Sequence, residues 1–272
     1  MNESTRRKEE ALKAHIRELG SLAVAFSGGV DSTYLAYTAH EVLGDAMLAV
    51  TARSLSFPAW EGDEAGSFCR EQGIRHLEVP FRELEVPGFC ENPPDRCYLC
   101  KKELFTRLLK EAAEAGAVYV AEGSNLDDDD DYRPGHRAIA ELGVVSPLRQ
   151  ARLTKEEIRE LSREAGLPTW NKPSLACLAT RFVYGEPITE EKLQMVGSAE
   201  RLLLELGFRQ VRVRIHGRMA RVEVQPDEIG RFLDPSLRQT AAARLRALGF
   251  SYVTLDLEGY RTGSMNEVLE IR

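Results

Sequence analysis

The six residues Ser27-Gly28-Gly29-Val30-Asp31-Ser32 constrain this chain most. They follow a near-continuous apolar run, Ser21-Leu22-Ala23-Val24-Ala25-Phe26, and precede a helix read from about residue 33 to 43. A short apolar run of this kind fits a strand buried on both faces of a parallel sheet. Two adjacent glycines let the backbone turn tightly and approach a ligand closely. The amides at the following helix N-terminus point outward, and the helix dipole favours an anion there. Ser27 and Ser32 add hydroxyl donors. Asp31 is out of place beside a phosphate unless a divalent cation lies between them. An ordinary glycine turn is the bland alternative for a bare Gly-Gly; the full hexamer between strand and helix favours phosphate binding. The chain lacks Gly-x-x-x-x-Gly-Lys-Ser/Thr, which disfavours a P-loop kinase or GTPase. It also lacks Gly-x-Gly-x-x-Gly after a strand, which disfavours dinucleotide redox chemistry.

The surrounding pattern extends this unit. An amphipathic helix is read over residues 5–19, with strands at 46–52, 76–79 and 117–121 and helices at 61–72, 101–115 and 155–165. Val144-Val145 opens another short extended piece. Strands alternating with helices predict an α/β fold with a doubly wound, mostly parallel sheet. The pattern changes after about residue 175. Val211, Val213 and Ile215 alternate with Gln210, Arg212 and Arg214, which is strand periodicity with one apolar face. Residues 220–224 form a hairpin partner across His216-Gly217-Arg218, followed by helices at 226–233 and 235–248 and a strand at 251–257. The expected division is therefore 1–175 and a small α+β domain, 176–272. The acidic stretch 127–131 reads as a solvated loop.

Size and charge narrow the partners. The chain has 272 residues, of which 36 are basic and 43 acidic, for a net charge of −7. A polynucleotide-binding protein usually carries a basic surplus or stripe, so tRNA is not expected as substrate. No apolar run is long enough for a membrane span, and the charged N-terminus does not resemble a signal peptide. The expectation is a cytoplasmic protein.

Five cysteines, Cys69, Cys90, Cys97, Cys100 and Cys177, do not suggest a disulfide framework. Cys97 and Cys100 stand before a helix with two residues between them, flanked by Arg96, Lys101 and Lys102. A Cys-x-x-Cys turn can direct both sulfurs to one ion or cluster, and the cations with the helix end should lower the thiol pKa values. Cys177 lies in a segment without clear period, as active-site loops often do. Core packing, a structural zinc with a fourth ligand from Cys90 or Cys69, a redox or persulfide-carrying thiol set, and an iron–sulfur cluster on Cys97, Cys100 and Cys177 all remain open on spacing. Cys69 and Cys90 are expected to be buried apolar residues.

The hexamer resembles the PP-loop of the N-type ATP pyrophosphatases. That resemblance implies an adenine nucleotide alpha hydrolase-like fold, ATP and Mg²⁺ as cofactors, and cleavage between the α and β phosphates. It also implies that Thr51 and Arg53, at the end of the second strand, and Glu122-Gly123-Ser124 lie near the adenosine. Over nearly the whole chain the sequence is similar to the LarE sulfur transferases. The matching segments are residues 27–32, 96–101, 122–127, 132–135, 146–148, 172–181 and 260–266. The family implies sulfuration of a mononucleotide, pyridinium-3,5-biscarboxylic acid mononucleotide, for a nickel-pincer cofactor of lactate racemase. Some members spend the cysteine matching Cys177 as sulfur donor; others carry the added Cys-x-x-Cys and hold a [4Fe–4S] cluster. Both features occur here, so the second type is favoured, with Cys97, Cys100 and Cys177 as ligands and the sulfur source open. Arg212 and Arg214 leave one strand face together and suit the substrate phosphate bidentately; a solvated strand face is the alternative. Arg181 is expected to bind the substrate carboxylate or the adenylate. Glu200 resembles an acidic metal-binding position of the family or is a surface helix glutamate. A homo-oligomer is expected. The rival readings are a tRNA-thiolation enzyme with the same loop and cluster, and sacrificial transfer from Cys177. All of them require the loop near residue 28 and the thiol loop near residue 177 to serve one substrate.

Overall fold

The computed structural model describes residues 3–130, 134–173, 176–261 and 263–267. It divides into two compact units, Met1–Glu83 with Cys97–Leu175, and Leu84–Arg96 with Ala176–Arg272. The segment 84–96, expected in the first domain, thus groups with the second unit.

In the first unit α1 (Glu3–Leu19) leads into β1 (Leu22–Ala25), α2 (Val30–Leu43), β2 (Met47–Arg53), α3 (Ala59–Gln72) and β3 (His76–Pro80). Then come α4 (Arg96–Glu114), β4 (Tyr119–Ala121), α5 (Pro134–Glu141), α6 (Pro147–Gln150) and α7 (Lys155–Glu164). The sheet is parallel, in the order β3-β2-β1-β4, and Val145 continues it through a parallel bridge to Ala121. Successive side chains of a strand face opposite ways, and here both faces are buried. Leu22, Val24, Met47 and Ala49 join a core with Leu12, Leu35, Phe68 and Ile158. Ala23, Leu48 and Val50 join the opposite core with Phe105, Leu108 and Ile139. Helices on both faces of a parallel sheet make the fold α/β and doubly wound, as the alternation of elements predicts. The strand order reverses direction between β1 and β4, and ligands of open α/β sheets bind beyond the carboxyl ends of strands at such a switch point. The hexamer follows β1, and Glu122-Gly123-Ser124 follows β4.

Two helices begin earlier than the sequence suggests. α2 starts at Val30, so Asp31 and Ser32 lie in its first turn. α4 starts at Arg96, so Cys97 and Cys100 stand within the first two turns of a helix and not on a turn before it. The acidic stretch is a 3-10 helix, Leu126–Asp130, and not a plain loop; Asp131, Tyr132 and Arg133 lie outside the described residues, as do Ser174, Leu175 and Thr262 of the family segments.

The second unit contains α8 (Glu190–Glu205), β5 (Val211–His216), β6 (Met219–Val224), α9 (Pro235–Ala247) and β7 (Tyr252–Leu255). β5 and β6 form the expected hairpin, antiparallel with Arg212 opposite Glu223, and β7 runs parallel to β6. The residues read as a 226–233 helix are a 3-10 helix, Pro226–Leu233. Asn92 donates through Nδ2 to the Val183 carbonyl and its own carbonyl accepts from the Gly185 amide, which stitches 84–96 into this unit.

Candidate functional site

The hexamer is a preformed cradle. Gly28 has φ +69°, the left-handed region that a side chain disfavours. Ser27 and Ser32 share a hydroxyl hydrogen bond at 3.0 Å, the Ser27 amide donates to Ser32 Oγ, and Ser32 Oγ donates to the Gly29 carbonyl. The two hydroxyls therefore brace the turn. Gly29 is the N-cap of α2 and offers its first-turn amides no side-chain acceptor. Uncapped amides with the helix dipole behind them can receive an anion.

Gly123 closes on this cradle from β4. A Cβ there would stand 3.1 Å from the Ser32 amide nitrogen and 3.3 Å from Asp31 Cβ. Its neighbours are fixed by the buried Glu122 carboxylate, which accepts from the Ser124 amide and hydroxyl and from the Ser146 hydroxyl. Asp31 pairs with Lys155 Nζ and accepts from Asn125 Nδ2 at 3.4 Å. Lys172 Nζ donates to the Gly28 carbonyl at 3.1 Å and to Glu64 at 2.9 Å. Thr51 is buried, donates to the Phe26 carbonyl at 2.9 Å and meets His76 Nε2 at 2.8 Å. Arg53 lies over Gly62 and is shared between Asp63 and Glu78, which holds Glu78 below the usual carboxylate range. Thus Ser27, Gly28, Gly29, Asp31, Ser32 and Gly123 come together. Thr51 joins them through Phe26, and Arg53 is held on the α3 side by acidic partners.

Lys155 and Lys172 were not singled out in the sequence. Lys155 had a signal: it follows the N-cap Thr154 as the first residue of α7, an end where a cation opposes the helix dipole. Lys172 opens the family-matching segment 172–181, but its partners Gly28 and Glu64 are distant in the chain, so its place was not legible.

Cys97 and Cys100 are three residues apart on α4 and half-buried, a spacing that puts two side chains on one helix face. Two cations expected to act on them are engaged elsewhere: Arg96 donates to Asn92 Oδ1 and lies against the Tyr184 ring, and Lys102 donates to Tyr98 and Glu141. Cys69 is fully buried and its thiol is pushed up to about 12 by burial, so it stays protonated, as expected of a core residue. Cys90 is half-buried and donates to the Leu84 carbonyl. Among the described residues no group of three His, Cys, Asp or Glu side chains stands ready to hold a metal ion.

The second unit gathers the arginines. Arg181, Arg212 and Arg214 are all buried, as are Glu200 and Glu223. The strand face carrying Arg212 and Arg214 is therefore not solvated. Arg214 pairs in a fork with Glu223 at 3.0 Å on both arms and donates to the Thr180 carbonyl. Arg181 pairs in a fork with Glu200 at 2.7 and 2.8 Å. Burial pushes the Glu200 pKa up, but Arg181 and Arg212 pull it further the other way, and the net shift is down. Arg212 donates to the Val211 carbonyl and stacks on the Tyr260 ring. Burial first, and then the Arg181 charge, lowers it to about 10. Three guanidinium groups against two carboxylates leave this buried set with a positive balance, which suits an anion. Glu223, missed in the sequence, carried a signal as an acid between Val222 and Val224.

Comparison with known proteins bears on both units. The chain is 40% identical over 263 residues to the pyridinium-3,5-bisthiocarboxylic acid mononucleotide synthase of Lactiplantibacillus plantarum, covering 96% of this chain and 95% of that one. The chain belongs to this family, the LarE-type sulfur transferases. An uncharacterized member from Synechocystis sp. is 44% identical over 262 residues, covering 96% of this chain and 98% of its own. More distantly, a glutamine-hydrolyzing GMP synthase component of Thermoplasma acidophilum is 31% identical over 200 residues, 68% of this chain and 63% of its own. That match suits a PP-loop fold for the first unit. No family model matches the chain. No described helix is long and apolar enough to cross a membrane.

Proposed function

We propose that this enzyme is an ATP-dependent sulfur transferase that converts a carboxylate of pyridinium-3,5-biscarboxylic acid mononucleotide to a thiocarboxylate. The observation that carries the reading is the braced, uncapped helix end at residues 27–32 in a chain 40% identical to the named synthase over 95% of that protein. ATP phosphates meet the first-turn amides of α2 and the hydroxyls of Ser27 and Ser32. Mg²⁺ keeps most of its waters and needs only one or two carboxylates beside the phosphates; Asp31 is the oxygen donor that would hold it, where it neutralises the departing pyrophosphate. A carboxylate oxygen of the substrate attacks the α phosphorus and pyrophosphate leaves. A hydrosulfide-level sulfur then attacks the acyl carbon, and AMP departs carrying the original carboxylate oxygen. Thr51 and Gly123 border the nucleoside in this reading.

The substrate phosphate meets the positively charged set of Arg212 and Arg214. For the sulfur, the paired thiols of Cys97 and Cys100 on one helix face, with Cys177, are a donor set of the right chemistry for a [4Fe–4S] cluster. Held by these thiolates, such a cluster would supply sulfide-level sulfur to the activated substrate. A second reading rests on Cys177 alone, half-buried at the head of a 3-10 turn. In it Cys177 Sγ attacks the acyl adenylate, AMP leaves, and loss of the Cα proton breaks the Cβ–S bond to give dehydroalanine and the thiocarboxylate. Iron and sulfide counts in anaerobically purified wild type and Cys97→Ala separate the two. The adenylylation itself is tested with substrate labelled by ¹⁸O in its carboxylates. One label is expected in AMP for each thiocarboxylate formed, and unlabelled AMP would contradict the reading.

A further inference from the structure

The Cys177 loop is gripped by a guanidinium from its own sequence. Arg181 is 1% exposed. Its Nε and Nη2 are taken by the two oxygens of Glu200, and its Nη1 reaches the Ala176 carbonyl at 2.8 Å, the Cys177 carbonyl at 3.2 Å and Thr180 Oγ1 at 2.8 Å. Thr180 in turn donates to the Cys177 carbonyl through its hydroxyl at 2.8 Å and through its amide at 2.9 Å. Glu200 Oε1 also accepts from the Val213 amide at 3.0 Å, and Val213 stands between Arg212 and Arg214 on β5. The Arg181–Glu200 fork therefore ties three pieces together: the peptide of Cys177, helix α8 and the strand bearing the arginines. A substrate carboxylate on Arg181, or a metal on Glu200, would have to displace these bonds. A buried ion pair is weak evidence for stability, and its best-attested use is to fix one arrangement.

We infer that Arg181, acting through Glu200, is a positioning residue that fixes the Cys177 backbone against β5, so that the sulfur stands at a set distance from the substrate-phosphate strand. The importance of Cys177 rests on the sulfur-transfer reading. Labelling of the Cys177 thiol needs neither ATP nor substrate, so failure of the clamp and failure of that reading are distinguishable.

The experiment is the iodoacetamide labelling rate of Cys177, followed by mass spectrometry in the full-length chain freed of bound metal, with Cys97 as internal reference. Arg181→Lys keeps the charge but loses the planar fork. It is expected to speed Cys177 labelling about tenfold through local opening and leave Cys97 unchanged. In the sulfur-transfer assay the same variant should lower kcat about tenfold or more, with KM for ATP within about twofold, as misplacement without loss of binding does. Thr180→Val, which removes only the hydroxyl, should move labelling the same way by a smaller factor, and it decides the matter if Arg181→Lys has no cooperative melting transition. A Cys177 rate unchanged or lowered overturns the inference. So does a Glu200→Gln protein that binds Mn²⁺ more weakly while its Cys177 labelling stays at the wild-type rate.

Discussion

Gly123 and Gly28 fail on substitution for different physical reasons. A methyl at Gly123 meets the Ser32 amide nitrogen at 3.1 Å and Asp31 Cβ at 3.3 Å, so Gly123→Ala must push the first turn of α2. We expect a cost of about 1–3 kcal/mol from overpacking, read by urea unfolding, and a larger proportional loss of ATP affinity by calorimetry. Equal ATP affinity in the alanine variant would remove Gly123 from the site. At Gly28 the space is ordinary but φ is +69°, so Gly28→Ala should cost about 1–2 kcal/mol in backbone strain. Asp31→Asn keeps the shape and removes the charge; pyrophosphate release should fall about 100-fold or more, with the melting temperature within a few degrees of wild type. The hexamer stood out in the sequence because its residues are contiguous and its glycines and serines each have a phosphate-binding reason. Lys155 and Lys172 were not, since the Asp31–Lys155 pair and the Lys172–Gly28 bond depend on tertiary approach.

Helix ends carry much of the chemistry at the next scale. α7 begins with a complete capping box, Thr154 accepting from the Glu157 amide while the Glu157 side chain accepts from the Thr154 amide. Glu157 also holds Lys8 of α1. Thr154→Ala should cost about 1 kcal/mol and should also weaken ATP binding, because Lys155 starts the same turn. A loss of stability without loss of ATP affinity would separate the cap from the site. The elements themselves were largely readable, because the apolar runs of β1 and β2 and the period of α1 and α4 are long and regular. Helix starts were not: Val30 and Arg96 already adopt helical geometry, which no local breaker forbids, and so Asp31 and the two thiols sit on helices. Strand β5 was read from its alternation, with a solvated face left open as the alternative for its arginines, and the structure buries them. Alternating arginines look solvated in sequence, and only Glu223 and Glu200, supplied by β6 and α8, make their burial tolerable.

At the scale of the molecule, pH acts on both units through half-buried histidines. Burial lowers His76, with Glu78 opposing, and burial followed by the Arg221 charge lowers His216. A histidine whose folded pKa lies below its unfolded value of about 6.5 takes up protons first in the unfolded chain. Its contribution is complete well above that value and is lost as pH falls from there through the lower folded value. The melting temperature should therefore decline from pH 8 to pH 5.5, and His76→Gln should flatten part of that decline; an unchanged slope would clear His76 of the effect. Fold class and the family are visible in the sequence, whereas the grouping of residues 84–96 with the second unit is not, because Asn92, Val183 and Gly185 meet only after folding. The most direct test of the central claim is a mass spectrum of the product. The full-length enzyme is incubated without oxygen with pyridinium-3,5-biscarboxylic acid mononucleotide, ATP, Mg²⁺ and sulfide. The account predicts a product in which sulfur replaces a carboxylate oxygen, with AMP and pyrophosphate released in equal amounts. Unchanged mononucleotide, or ATP split to ADP and phosphate, would contradict it.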